Sequence, residues 1–131
     1  MSDLALAREI LRQMTWSTVT IVKRFEPIAS PADFTASDEG MEKLDAICMQ
    51  LIALGESAKR LDRLTDGRLL ARYPEVEWKR VMGMRDVISH HYFDLDAEVV
   101  YSVCADHIGT LSGILQRMAS DAELNSDSPE R

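Results

Sequence analysis

The chain has 131 residues, 46% of them hydrophobic and 28% charged, which suits a single domain able to bury roughly two thirds of its unfolded surface around one core. The formal charge of −7 argues against a general nucleic-acid binder, because phosphate contacts need Lys and Arg. No apolar run approaches the ~18 residues of a membrane span. The opening Met1-Ser2-Asp3 does not read as a signal peptide, so a cytoplasmic protein is expected.

Residues 3 to about 25 read as a helix: Leu4, Ala7, Leu11, Met14, Ile21 and Phe25 keep to three- and four-residue steps once Thr18 is counted, and Ile10 and Val22 widen the stripe. Ser2 can cap its start, and Lys23 and Arg24 complement the negative end of its dipole. The β-branched patch of Thr15, Thr18, Val19, Thr20, Ile21 and Val22 weakens intrinsic helicity, but the stripe outweighs it. Pro27 and Pro31 exclude a continuous helix from Phe25 to Ser37. Phe25, Ile28 and Phe34 should tuck that connection against the core.

A second helix is predicted from Ser37 to about Leu64, with Asp38 and Glu39 in its first turn. Leu44, Ile47, Cys48, Leu51, Leu54, Ala58 and Leu61 give it an apolar face wide enough to meet more than one neighbour. Asp66-Gly67 marks a turn, and Arg68 to Tyr73 reads as a short helical turn. Pro74 fits the first turn of a third helix, lined on one side by Trp78, Val81, Met82, Arg85 and Ile88, with Gly83 marking close packing or a bend. Asp94 or Asp96 can cap a fourth helix from about Ala97 to Met118, in which Gly109 and Gly113 suggest close helix packing. The expected fold is an all-α bundle of four main helices in one domain, residues 1–118, followed by a polar, flexible tail, 119–131.

Charge is unevenly placed. Residues 56–85 carry eight basic and five acidic side chains, a local +3 that leaves −10 for the remainder. This pattern is either a set of solvated helix faces or a basic rim on an otherwise acidic protein.

Little else in the sequence invites chemistry. Cys48 and Cys104 lie in apolar periodic segments and read as reduced core thiols. There is no Cys-x-x-Cys, no i, i+4 histidine pair and no phosphate-binding glycine run, so neither a metal site nor a nucleotide loop is expected. His107 falls among apolar positions of the fourth helix and reads as a boundary or core residue. The exception is Met84-Arg85-Asp86-Val87-Ile88-Ser89-His90-His91-Tyr92. Arginine offers fixed donors to phosphate oxygens, and an imidazole serves as general base or acid. By composition alone the cluster reads equally as an ion-pair network or as a site for chemistry at phosphorus. At about 100° per residue, Arg85 and His90 stand about 140° apart while Arg85 and Tyr92 nearly eclipse. They cannot all share one face of a straight helix. Either the helix ends or bends there, or a second copy of the chain completes the site.

Arg85-x-x-x-x-His90-x-Tyr92, preceded by Gly83-Met84 and by Tyr73-Pro74-Glu75-Val76-Glu77-Trp78, resembles the HepT-like family of HEPN-domain proteins, and Leu54-Gly55-Glu56-Ser57-Ala58-Lys59-Arg60-Leu61 looks like that family's Gly-Glu-Ala helix. The resemblance covers roughly Leu44 to Met118. It implies a HEPN-like antiparallel helical bundle that forms a homodimer, with the Arg and His motifs of two subunits facing each other across a cleft. It also implies a metal-independent endoribonuclease, needing no cofactor, that is the toxin of a type VII toxin–antitoxin pair. Its partner would be a minimal nucleotidyltransferase antitoxin that silences it by AMPylation of Tyr92. Arg85 and His90 would be catalytic, Arg85 stabilising phosphoryl oxygens and His90 moving the proton, with Asp86 and His91 supporting. Asp86 departs from the Asn frequent in the family; a carboxylate there can orient an imidazole or disfavour an anion. The alternative is a non-catalytic HEPN module that docks a nucleotidyltransferase or a nucleotide.

Overall fold

The computed structural model describes residues 2–90 and 97–126. Its elements are α1 (Asp3–Phe25), α2 (Ala32–Thr35), α3 (Asp38–Leu64), α4 (Arg68–Ala71), α5 (Trp78–Met82), α6 (Met84–His90), α7 (Ala97–Val103), a π-helical turn (Cys104–Ile108) and α8 (Gly109–Ser126). No strand occurs among the described residues, and the all-α bundle expected from the sequence is what forms.

The two longest helices begin as their sequences specify. Ser2 Oγ accepts from the Ala5 N–H at 3.1 Å and Ser37 Oγ from the Gly40 N–H at 3.0 Å, each satisfying a donor that an α-helix start would leave unpaired. In α1 the buried stripe is Ala7, Ile10, Leu11, Met14, Ser17, Thr18 and Ile21. Thr18 sits fully buried because its hydroxyl donates to the Thr15 carbonyl at 2.8 Å. Leu4 and Val22, expected in that stripe, are exposed instead. Burial of the stripe decides the β-branched stretch in favour of helix, as tertiary contacts override weak propensity.

Neighbours fix the helix directions. Leu4, Ala7 and Leu11 at the start of α1 line one groove with Leu64 at the end of α3 and Met118 near the end of α8, and the Arg8 guanidinium donates to the Ala122 carbonyl. At the other end Phe25 stacks 5.1 Å from the Tyr101 ring of α7 and 6.3 Å from Phe34. So α1 runs antiparallel to both α3 and α8. The connection between α1 and α3 is tied down: Phe34 is fully buried, the Asp33 carboxylate accepts from the Ala29 and Ser30 N–H groups, and the Tyr101 hydroxyl donates to the Ala29 carbonyl. It also contains the short α2, where only an ordered loop was expected. α3 lies at the centre, packing on α1, α2, α4, α5, α6 and α7, as its wide apolar face requires. It stops at Asp66 and Gly67, both with positive φ, where the Gly67 N–H returns to the Asp62 carbonyl at 2.9 Å.

The third helix differs from expectation. Helix begins at Trp78, not at Pro74, and Gly83 divides it into α5 and α6. The reason lies in Trp78. Its indole N–H donates to the Tyr73 carbonyl at 3.0 Å while its own backbone N–H bonds the Val76 carbonyl. Residues 73–77 therefore fold as tight turns that drop both aromatic rings into the core. Tyr73 is held further by its hydroxyl, 2.5 Å from Asp121 Oδ2, and by Arg117, which lies 5.1 Å from the ring centroid and pairs with Glu75 at 2.5 Å. Asp121 belongs to α8, which continues past the expected end at Met118 to Ser126. Asp94 and Asp96, expected to cap the fourth helix, lie outside the described residues.

Glycines separate into two kinds. A Cβ at Gly55 would stand 2.6 Å from the Val81 carbonyl oxygen, so α3 and α5 touch backbone to side there. A Cβ at Gly109 or Gly113 would meet nothing within 4 Å, and both are exposed, which overturns the expectation of close packing at those two. Opposite outcomes follow. Gly55→Ala should destabilise by about 1–3 kcal/mol through backbone overpacking, whereas Gly109→Ala and Gly113→Ala should each stabilise by about 0.4–1 kcal/mol. Urea unfolding of the three variants measures both signs.

Candidate active site

Arg85 and Asp86 occupy the first turn of α6, directly after the break at Gly83. The Asp86 and Val87 N–H groups close that turn on the Gly83 carbonyl at 3.1 and 3.3 Å. Below it, α6 is anchored by buried Ile88 and by the packing of α5 on Gly55. Arg85, expected on the apolar side with Trp78 and Ile88, points outward with 60% of its side chain exposed.

Its partner is Glu56 of α3. Arg85 Nη1 donates to Glu56 Oε1 at 2.9 Å. The guanidinium holds the Glu56 carboxyl below the usual glutamate range, chiefly through this hydrogen bond, which outweighs an opposing effect of desolvation with help from the nearby charges of Lys59, Arg85 and Arg63. Reciprocally, the carboxylate raises the Arg85 pKa, and neighbouring Asp86 adds to it. Lys59 Nζ stands 3.9 Å from the other carboxylate oxygen, Glu56 Oε2. The sequence did not single out Glu56, although it lies inside the Leu54–Leu61 segment; nothing in a single chain's spacing announces a pair 29 residues apart.

α6 remains helical through His90. Arg85 and His90 therefore belong to one uninterrupted helix, and their Cα positions diverge by about 140° around its axis. The bend lies before this stretch, at Gly83, and does not bring the two together. His91 and Tyr92 lie outside the described residues.

Other candidates stand apart. His107 sits in the π-helical turn and is exposed rather than in the core. It edges a groove of about 500 Å³ between α3, residues 75–87 and α7–α8, whose walls are Leu51, Leu54, Val76, Val81, Met84, Val87, Val103, Ile108 and Leu111. Glu75, Glu77, Arg80 and Asp106 contribute its polar lining. Cys48 and Cys104 are free and buried, and burial pushes their thiols up to about 11 and about 12, which leaves them protonated and poor nucleophiles at neutral pH. Among the described residues no three His, Cys, Asp or Glu side chains gather as a metal centre would require, and no helix is long and apolar enough to cross a membrane.

Comparison with known proteins adds a family. Residues 18–118 match the family model described as ribonuclease HepT-like. Over 78 residues the chain is 26% identical to a protein of Methanocaldococcus jannaschii named as a candidate RNase, covering 60% of this chain and 61% of that one. Over 73 residues it is 29% identical to a protein of Thermococcus cleftensis named a probable ribonuclease HepT, covering 56% and 63%. The match thus spans about three fifths of each relative. No solved structure matches the chain significantly.

The ion pair has a direct readout. Titrated by NMR, the Glu56 side-chain carboxyl should ionise below the ordinary glutamate range in the wild type and return to it in Arg85→Ala. The pair's contribution is present at neutral pH and fades as the pH falls through that lowered value, since a depressed carboxyl pKa favours the folded state only where the group is ionised.

Proposed function

The chain belongs to the ribonuclease HepT-like family, and on that premise we propose that it is a metal-independent endoribonuclease, the toxin of a type VII toxin–antitoxin pair, acting as a homodimer. The observation that carries this reading is Arg85. It is an exposed guanidinium held at a fixed position by Glu56, on the same helix, Met84–His90, as His90. Arg85 would hold the non-bridging phosphoryl oxygens as charge builds on them. His90 would take the proton of the ribose 2′-hydroxyl as its oxygen attacks phosphorus, or give a proton to the departing 5′-oxygen. The products are a 2′,3′-cyclic phosphate and a free 5′-hydroxyl. A 2′-hydroxyl nucleophile makes RNA the substrate and leaves DNA uncut.

Arg85 and His90 diverge around α6, which supports a site completed across a two-fold axis, where the arginine of one copy approaches the histidine of the other. Asp86 and His91 would assist, Asp86 by orienting an imidazole. The antitoxin partner would be a minimal nucleotidyltransferase that transfers AMP to Tyr92. The bulky anion added there would repel RNA phosphate from the site.

The reading is tested on purified protein with chelator present. Wild type should cleave RNA, and both variants should lower cleavage, Arg85→Ala by about 10²- to 10³-fold through loss of a donor to the charged oxygens and His90→Ala by about 10²- to 10⁴-fold through loss of a proton-transfer group. Undiminished cleavage by both variants would sink the assignment. The one observation favouring the non-catalytic docking module is Asp86, a carboxylate beside the phosphate-binding arginine; it predicts partner binding with no cleavage at any protein concentration.

Co-expression with the nucleotidyltransferase should raise the protein's mass by one or more AMP units. Intact-mass spectrometry of Tyr92→Phe should show that increment gone.

A further inference from the structure

Glu56 collects cations from two helices. Arg85 Nη1 of α6 lies 2.9 Å from Oε1, and Lys59 Nζ of α3 lies 3.9 Å from Oε2. Arg63 follows one turn beyond Lys59 and adds to the field at Glu56. On α3, positions 56, 59 and 63 fall within about 60° of one another, and Lys59 and Arg63 are separated by about 6 Å along the axis. That is the order of the spacing between successive phosphates of an extended single strand. Three cations against the Glu56 carboxylate and the neighbouring Asp86 still leave a local surplus of positive charge, on a chain whose formal charge is −7.

A solvated helix face explains Lys59 beside Glu56, since i, i+3 pairs are ordinary on helix surfaces. It does not explain why the ridge ends on the arginine of another helix. From this convergence we infer that Lys59 and Arg63 form a phosphate track leading away from Arg85, which holds the RNA backbone on one side of the scissile bond. Glu56 terminates the track and keeps Arg85 in line with it. The inference rests on RNA being the substrate and names which part of the surface grips it. Because the surrounding protein is acidic, the grip is confined to this ridge, and an RNA strand is drawn along α3 rather than over the whole molecule.

Salt dependence of binding tests this directly. The probe is a single-stranded oligoribonucleotide with every 2′-hydroxyl methylated, which binds without being cut. For single strands the slope of log affinity against log salt is about −0.7 per phosphate neutralised. Lys59→Gln with Arg63→Gln should therefore flatten the slope by about 1.4. Removing a single positive charge by Arg12→Gln, at an exposed arginine of α1, should leave it as in wild type. An unchanged slope in the double variant, while wild type still cleaves RNA, would overturn the track and leave the proposed activity standing. A flattening of about 0.7 by Arg12→Gln, the same per charge removed, would also overturn it by reducing the effect to overall charge. Wild type that neither binds the probe nor cleaves RNA would overturn the activity and the track together.

Discussion

The architecture turns on one backbone approach. At Gly55 the central helix α3 meets the Val81 carbonyl of α5 so closely that even a methyl group would intrude. That contact sets how near the α5–α6 arm lies to α3, and the arm carries Arg85. Glu56 follows Gly55 directly on α3, and a hydrogen bond of 2.9 Å becomes possible between residues far apart in the chain. A side chain at position 55 would push the arm outward, and the ion pair is too short to follow.

A second constraint acts from the opposite end of the same arm. The Trp78 indole on the Tyr73 carbonyl, the Tyr73 hydroxyl on Asp121, and Arg117 bridging to Glu75 tie the turn before α5 to the last helix. Burial and the Asp121 carboxylate push the Tyr73 phenol up to about 12, so it stays a proton donor across the physiological range. The aromatic segment that makes the sequence recognisable is thus a structural fastening, and Arg85 and Asp86 lie at the other end of the arm it fastens.

How much of this is legible in the sequence depends on the range of the interaction. Helices α1 and α3 announce themselves through local signals: caps at Ser2 and Ser37, acidic first turns and apolar stripes of the right period. Residues Arg85 and Asp86 stand out through their residue types alone. What the sequence hides is set by contacts between distant positions. Pro74 carries the local marks of a helix start, but the Trp78 side chain captures the Tyr73 carbonyl and defers the helix. Small residues at Gly109 and Gly113 look like a packing seam, yet space lies beyond them, while the glycines that are squeezed are Gly40, against the Asp33 carbonyl, and Gly55. His107 follows the apolar period and still faces outward, because the chain passes through a π-helical turn there.

The Glu56–Arg85 pair carries a further consequence, for the entropy of recognition. A long arginine side chain free in solvent must be ordered when it meets an anion, at a cost of about 2 kcal/mol of rotamer freedom at most. Here part of that ordering is completed when the protein folds. The guanidinium plane presents its N–H groups as a rigid fork, so a carboxylate bonded at Nη1 orients the remainder as well. An arriving anion then encounters a charge largely compensated at a distance and a geometry already set at contact. Such an arginine discriminates by shape at short range, and leaves long-range attraction to its neighbours.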